Sequence, residues 1–98
     1  MTTYAIVVLP DAEAETRGAF FWYFERSPLA ADAFRAEVTE AIDRLAATAH
    51  IWTADENGVR RYALDRFPYT LHYEFDGTTV TVLAVAHQRR RPGYCLER

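Results

Sequence analysis

Ala84-Val85-Ala86-His87-Gln88-Arg89-Arg90-Arg91-Pro92-Gly93-Tyr94 is the stretch on which the fold turns. Its apolar half completes a run that begins at Thr78, and Val82-Leu83-Ala84-Val85-Ala86 is apolar on both faces. A strand with two apolar faces is a central strand, covered by other elements. Arg89, Arg90 and Arg91 therefore emerge at one end of the sheet, and Pro92-Gly93 sets Tyr94 beyond the break. The strand supplies anchorage and the tail supplies charge, donors and a ring.

Working back from that strand, Asp76-Gly77 is a two-residue hairpin signal. Before it, Tyr69, Leu71, Tyr73 and Phe75 alternate with Thr70, His72 and Glu74, which predicts a strand with an aromatic face and a polar face. Asp65-Arg66-Phe67-Pro68 reads as a turn, Val59 to Leu64 as a further strand, and Ile51 to Asn57 as a loop closed by Gly58.

The front of the chain is different in character. Tyr4 to Leu9 is a β-prone run ended by Pro10, and its two apolar faces predict an interior strand. Asp11 is expected to cap a helix over about Ala12 to Arg26, with Glu13 and Glu15 near its positive end. Within it, Ala19-Phe20-Phe21-Trp22-Tyr23-Phe24 covers the whole circumference. One small sheet cannot bury so much, so part of this run is expected to face a second helix, a second subunit or a partner. Ser27-Pro28 then starts another helix, with serine at the cap and proline in the first turn. Phe34, Val38, Ala41, Ile42, Leu45 and Ala49 recur on one face, and Arg35, Glu37, Glu40, Asp43 and Arg44 are expected to face outward, Glu40 pairing with Arg44. The helix should end near His50.

The sum is one α+β domain over residues 1–98: an N-terminal strand, a helical hairpin, and a three-stranded antiparallel meander, with the helices on one face of the sheet. A domain of this length buries roughly two-thirds of its unfolded surface, and with half of its residues hydrophobic the core needs no disulfide. The lone Cys95 suggests a reducing, cytoplasmic setting. No run approaches the ~20 apolar residues of a membrane helix, nor does the start read as a signal peptide.

Charge is unevenly spread. Residues 1–56 hold ten acids and four arginines, a balance of −6; residues 57–98 hold seven arginines and four acids, a balance of +3. There is no lysine. One cysteine and three separated histidines make no metal site, and no glycine-rich phosphate loop or G-x-S-x-G turn is present, so neither metal nor cofactor is expected. His72, opposite the aromatic face, reads as a surface or sheet-edge residue. His87, beside the arginines, is the one local candidate base; it equally suits a backbone hydrogen bond where the strand ends. Arg60, Arg61 and Arg66 are expected to join Arg89, Arg90 and Arg91 in a basic patch, since arginine forks match phosphate or carboxylate.

Taken together, Gly58-Val59-Arg60-Arg61, Arg66-Phe67-Pro68-Tyr69 and Val82 through Tyr94 resemble the toxins of the RelE/ParE superfamily from bacterial type II toxin–antitoxin systems. The hairpin broken at Ser27-Pro28 fits the front half of that family, so the likeness spans nearly the whole chain. The resemblance implies a growth-inhibiting, plasmid-stabilising type of toxin, neutralised by a cognate antitoxin whose disordered segment folds as it wraps the toxin. It also implies two branches of mechanism. ParE-like members bind DNA gyrase and are not enzymes; RelE-like members cut messenger RNA on the ribosome. The His-x-Arg-Arg ending of the last strand is more similar to the ParE branch. A net charge of −3 without lysine points the same way, because phosphate binding relies on cations and arginine is a poor proton acceptor.

The expectation is a non-enzymatic toxin whose target, DNA gyrase, is met through Arg60, Arg61, Arg66, Arg89, Arg90, Arg91 and Tyr94. Its antitoxin would be met through Phe20, Phe21, Trp22 and Phe24. The alternative is a RelE-like endoribonuclease acting at the ribosome with Arg61, His87, Arg89 and Tyr94, and a third reading is a degenerate member that only binds antitoxin. A homodimer or a toxin–antitoxin hetero-oligomer is compatible with each.

Overall fold

The computed structural model describes residues 3–89. The element order is β1 (Ala5–Val8), α1 (Pro10–Phe24), α2 (Pro28–Thr48), β2 (Arg60–Ala63), β3 (Tyr69–Phe75) and β4 (Thr79–His87). The strands form one sheet in the order β1-β4-β3-β2, antiparallel from β2 to β4, with β1 parallel to β4. The meander and the α+β class are as expected, and the sheet as a whole is mixed. β4 is central, paired on one side with β3 and on the other with β1 over Ala5↔Thr79 to Val8↔Val82.

β1 is an edge strand, contrary to the interior position expected from its composition, and Val7 is 46% exposed. It runs for only four residues before Pro10 turns the chain into α1. Shortness is itself protection at an edge, because few unpaired backbone groups are offered.

α1 starts two residues earlier than expected. Leu9 occupies the N-cap without a side-chain bond and Pro10 takes the first turn, leaving Asp11 inside the helix. Proline favours that position because its φ is already helical and its missing N–H would have no partner there. Asp11 and Glu13 still lie in the first turn, where the helix dipole favours them. α2 begins as its sequence dictates: Ser27 Oγ accepts from the Ala30 N–H at 3.2 Å, with Pro28 following. It ends at Thr48, capped by Ala49, and the loop beyond closes at Gly58, whose φ of 80° suits a residue without a Cβ.

The core lies between the hairpin and one face of the sheet. Phe34 and Leu45 from α2 meet Leu71, Tyr73, Val80, Val82 and Val85, all at most 2% exposed. Tyr73 reaches through this layer and donates to the Ala49 carbonyl at 2.8 Å, satisfying its hydroxyl and tying the end of α2 to β3. Tyr69, Leu71, Tyr73 and Phe75 do share the helix-facing side, opposite His87, Val85, Val82 and Val80.

That register contains one irregularity. Tyr73 pairs with Val82 but His72 pairs with Ala84, so Leu83 is an extra residue in β4. The bulge re-aims the strand: without it Ala84 and Ala86 would continue the helix-facing row, and with it Val85 and His87 do. His72 lies on the opposite face as expected, but it is 7% exposed rather than a surface residue. Its cross-strand neighbours Ala84 and Arg61 lie on that same face.

Candidate functional site

Side chains alternate along β2, so Arg60 and Arg61 cannot share a face. Arg60 lies on the helix side. Its Nη1 donates to the carbonyls of Trp52 at 2.7 Å and His50 at 3.3 Å, and its guanidinium stands 5.5 Å from the centre of the Phe75 ring. It anchors the loop that follows α2. Arg61 lies on the other side, with Nη2 3.0 Å from Asp55 Oδ2. The second oxygen of Asp55 accepts from the N–H groups of Val59 and Asn57. These bonds, that from Val59 foremost, hold the Asp55 carboxyl below its usual value despite some desolvation.

Arg66 is drawn to a third place. Its Nε stands 3.2 Å from Oε1 of Glu37 on α2. Glu37 was expected on the outer face of its helix, yet it is 8% exposed. The reason is the turn after β2, where the N–H groups of Asp65 and Arg66 have no ladder partner. The Glu37 carboxylate accepts both. Arg44, expected to pair with Glu40, instead donates from Nη1 to the Tyr62 hydroxyl at 2.8 Å. Arg60, Arg61 and Arg66 are thus each held by an acceptor, in three separate surroundings. Arg89 is exposed just past β4. Arg90, Arg91 and Tyr94 lie outside the described residues.

His87 ends β4 half-buried. Its Nδ1 accepts the backbone N–H of Arg89 at 3.1 Å, and its ring meets Tyr69 edge-on at 5.3 Å. Accepting that bond requires an unprotonated Nδ1, so the ring serves the backbone turn where the strand ends. Beside it, α1 and the ends of β3 and β4 enclose a cleft of about 610 Å3, with Gly18, Trp22 and Tyr23 on one wall and Tyr69, Val85 and His87 on the other. The Tyr23 hydroxyl is held above its usual value, by burial first and by Tyr69 second, so it remains a neutral donor. Glu15 also lines the cleft and accepts the Val85 N–H at 3.0 Å. The cleft is therefore chiefly aromatic, with strand backbone on its floor.

The aromatic run on α1 divides around the helix. Phe20 and Tyr23 pack against the core, while Phe21, Trp22 and Phe24 are 57%, 51% and 49% exposed. Trp22 stands on the cleft side, with the Arg26 guanidinium 3.7 Å over its ring. Phe20 and Phe21 stand on the other side, in a groove of about 470 Å3 between α1 and α2 that also takes in Val38, Ile42, Arg17 and Arg35. Phe24 projects near the hairpin tip with Leu29, which is 82% exposed. The excess of exposed aromatic surface expected from the sequence is real, and it flanks α1 on both sides.

Three features here had no sequence signal: the Leu83 bulge, the Glu15–Val85 bond and the Glu37 clamp. The bulge hides in a run that is apolar on both faces, and the two glutamates read as ordinary helix-surface acids. Among the described residues no group of His, Cys, Asp or Glu is arranged to hold a metal, and no helix is long and apolar enough to cross a membrane.

A family model described as the ParE toxin of type II toxin–antitoxin system, parDE, matches residues 6–92. Among solved structures, the chromosomal ParDE TA system from P. aeruginosa aligns with a TM-score of 0.77 at 19% identity, over 89% of this chain and 98% of that one. At that identity the likeness is one of fold. No curated protein matches the chain.

Proposed function

This chain belongs to the ParE toxin family of type II toxin–antitoxin systems, and on that premise we propose that it arrests growth by binding DNA gyrase, without cutting nucleic acid, until a cognate antitoxin neutralises it. The observation that supports docking over catalysis is the engagement of the arginines. Arg60, Arg61 and Arg66 are each held by a carbonyl or carboxylate, and His87 accepts a backbone N–H through Nδ1. A ribonuclease site needs cations converging on one phosphate with a base beside it. In this reading Arg61, on the face of the sheet away from the helices, and Arg89, exposed just past β4, meet the target; Arg90, Arg91 and Tyr94, which follow in sequence, are assigned to the same contact.

The antitoxin is assigned to the groove between α1 and α2. Its floor is apolar, from Phe20, Phe21, Val38 and Ile42, and Arg17 and Arg35 stand on its rim. That combination suits an amphipathic segment with acidic flanks, a segment of the kind that folds on binding.

The test is a supercoiling reaction. Purified protein is expected to inhibit gyrase, and the antitoxin from the adjacent reading frame is expected to relieve the inhibition. Active gyrase at excess protein, with messenger RNA cut in the ribosomal A site on expression, would replace this reading with the nuclease. Normal growth with soluble protein and no antitoxin would leave only antitoxin binding.

A further inference from the structure

β1 leaves the sheet early. It pairs with β4 only as far as Val8↔Val82, and the Leu9 N–H closes the ladder on the Val82 carbonyl at 3.0 Å. From Leu83 to His87, β4 has β3 on one side and, among the described residues, no strand on the other. Val85, Ala86 and His87 line the aromatic cleft, and among the described residues the backbone beside them is a sheet edge.

The polarity of that edge follows from two bonds. The Val85 N–H points away from β3, because Glu15 on α1 takes it, while the Gln88 N–H points toward β3 and donates to the Pro68 carbonyl at 2.8 Å. Backbone groups alternate in an antiparallel ladder, and both groups of one residue point the same way. The Val85 carbonyl and the His87 N–H therefore face the cleft, astride Ala86. An antiparallel neighbour would pair with Val85 through both of its groups, and Glu15 already holds the N–H. A parallel neighbour needs only the carbonyl of Val85 and the N–H of His87, with one residue bridging them.

We propose that this edge is a strand-addition site: an extended segment of the antitoxin pairs in parallel with Val85–His87, continuing the line that β1 abandons, and sets one apolar or aromatic side chain into the cleft between Trp22 and Tyr69. The assignment to the antitoxin rests on the reading above. Phe21 on the groove side and Trp22 on the cleft side are adjacent and both about half exposed, so apolar surface runs continuously around α1 from the groove to the slot. Strand addition of this kind draws affinity from main-chain bonds and selectivity from side-chain pockets.

Two substitutions isolate the slot. His87→Pro deletes an N–H that the β3 ladder does not use, and proline is tolerated at such edge positions; His87→Ala keeps the N–H and removes the ring. Gly18→Leu fills the cleft from α1, where an added Cβ meets nothing within 4 Å, and leucine favours the helix over glycine. With the antitoxin from the adjacent reading frame titrated calorimetrically, His87→Pro is expected to weaken binding roughly fivefold to tenfold more than His87→Ala, the worth of about one hydrogen bond. Gly18→Leu is expected to weaken it at least roughly tenfold, with an unchanged or raised thermal midpoint. In the wild-type complex the His87 amide should exchange with deuterium more slowly than in the free protein.

Binding by the wild type that none of these changes alters would overturn the slot while leaving the toxin–antitoxin reading intact. Wild type that does not bind the antitoxin at all would overturn both. Should the variants lose cooperative unfolding, His87 amide exchange in the wild-type complex decides alone, and equal exchange in both states would overturn the proposal.

Discussion

Glu37 and Arg66 sit 29 residues apart in sequence, yet Oε1 of the glutamate stands 3.2 Å from Nε of the arginine. The same carboxylate accepts the backbone N–H groups of Asp65 and Arg66. The ion pair and the amide bonds differ in weight. The Arg66 side chain is 63% exposed and the Glu37 side chain 11%, so water competes for the first far more than for the second.

Glu37→Ala is therefore expected to cost about 1–3 kcal/mol, because it orphans two turn amides. Arg66→Ala should cost no more than about 1 kcal/mol, the worth of an exposed ion pair. Urea unfolding of the two variants distinguishes them, and equal losses would mean that the arginine rather than the backbone turn is what Glu37 holds.

Phe34→Ala should be severe, at about 3–5 kcal/mol, since the ring is fully buried against Tyr23, Phe67 and Tyr69. Phe21→Ala, on the same hairpin but 57% exposed, should change stability by under about 1 kcal/mol while weakening antitoxin binding. Trp22→Ala should behave likewise. An antitoxin affinity untouched by both exposed-ring variants would remove the aromatic face of α1 from the interface.

Asp55 and Asp76 both titrate below the ordinary aspartate value. For Asp55 the Val59 N–H is the leading cause; for Asp76 the N–H groups of Thr78 and Thr79 lead. A folded value below the unfolded one makes the charged form the stabilising one. That contribution is present above the unfolded value of about 4 and is lost as pH falls through the folded value. Thermal midpoints measured from pH 5 to pH 2.5 should fall, and an Asp55→Asn/Asp76→Asn variant should fall less steeply. Parallel curves would assign acid unfolding to other carboxylates.

Gly77→Ala tests the hairpin between β3 and β4. Gly77 has a φ of 100°, while an added Cβ would meet nothing within 4 Å. Any loss is thus backbone strain rather than a clash, and about 1 kcal/mol is expected. A neutral substitution would mean that the turn relaxes to another type.

Much of the fold was legible because local chemistry and periodicity agree along the chain. Ser27-Pro28 starts α2 as read, since a capping hydroxyl and a preset φ need no distant help. Strict alternation from Tyr69 to Phe75 gives β3 with its aromatic row toward the helices. The two apolar faces of the last strand place β4 at the centre of the sheet. The same rule misplaced β1, which is apolar on both faces and yet lies at the edge. Its lateral position depends on which strand pairs with β4, a long-range choice that four residues do not encode.

The sequence by itself determined the elements, their order, the central strand, the surplus of aromatic surface on α1 and the family likeness carried by the final strand. These follow from side-chain periodicity, turn chemistry and composition, which act over a few residues. Tertiary structure alone decided where charges meet acceptors. It dispersed Arg60, Arg61 and Arg66 to the Trp52 carbonyl, Asp55 and Glu37, and it set Glu15 on the Val85 amide. Those partners lie between 6 and 70 residues away along the chain. A cation or an unpaired amide binds the nearest acceptor in space, and that distance exists only once the helices have packed on the sheet.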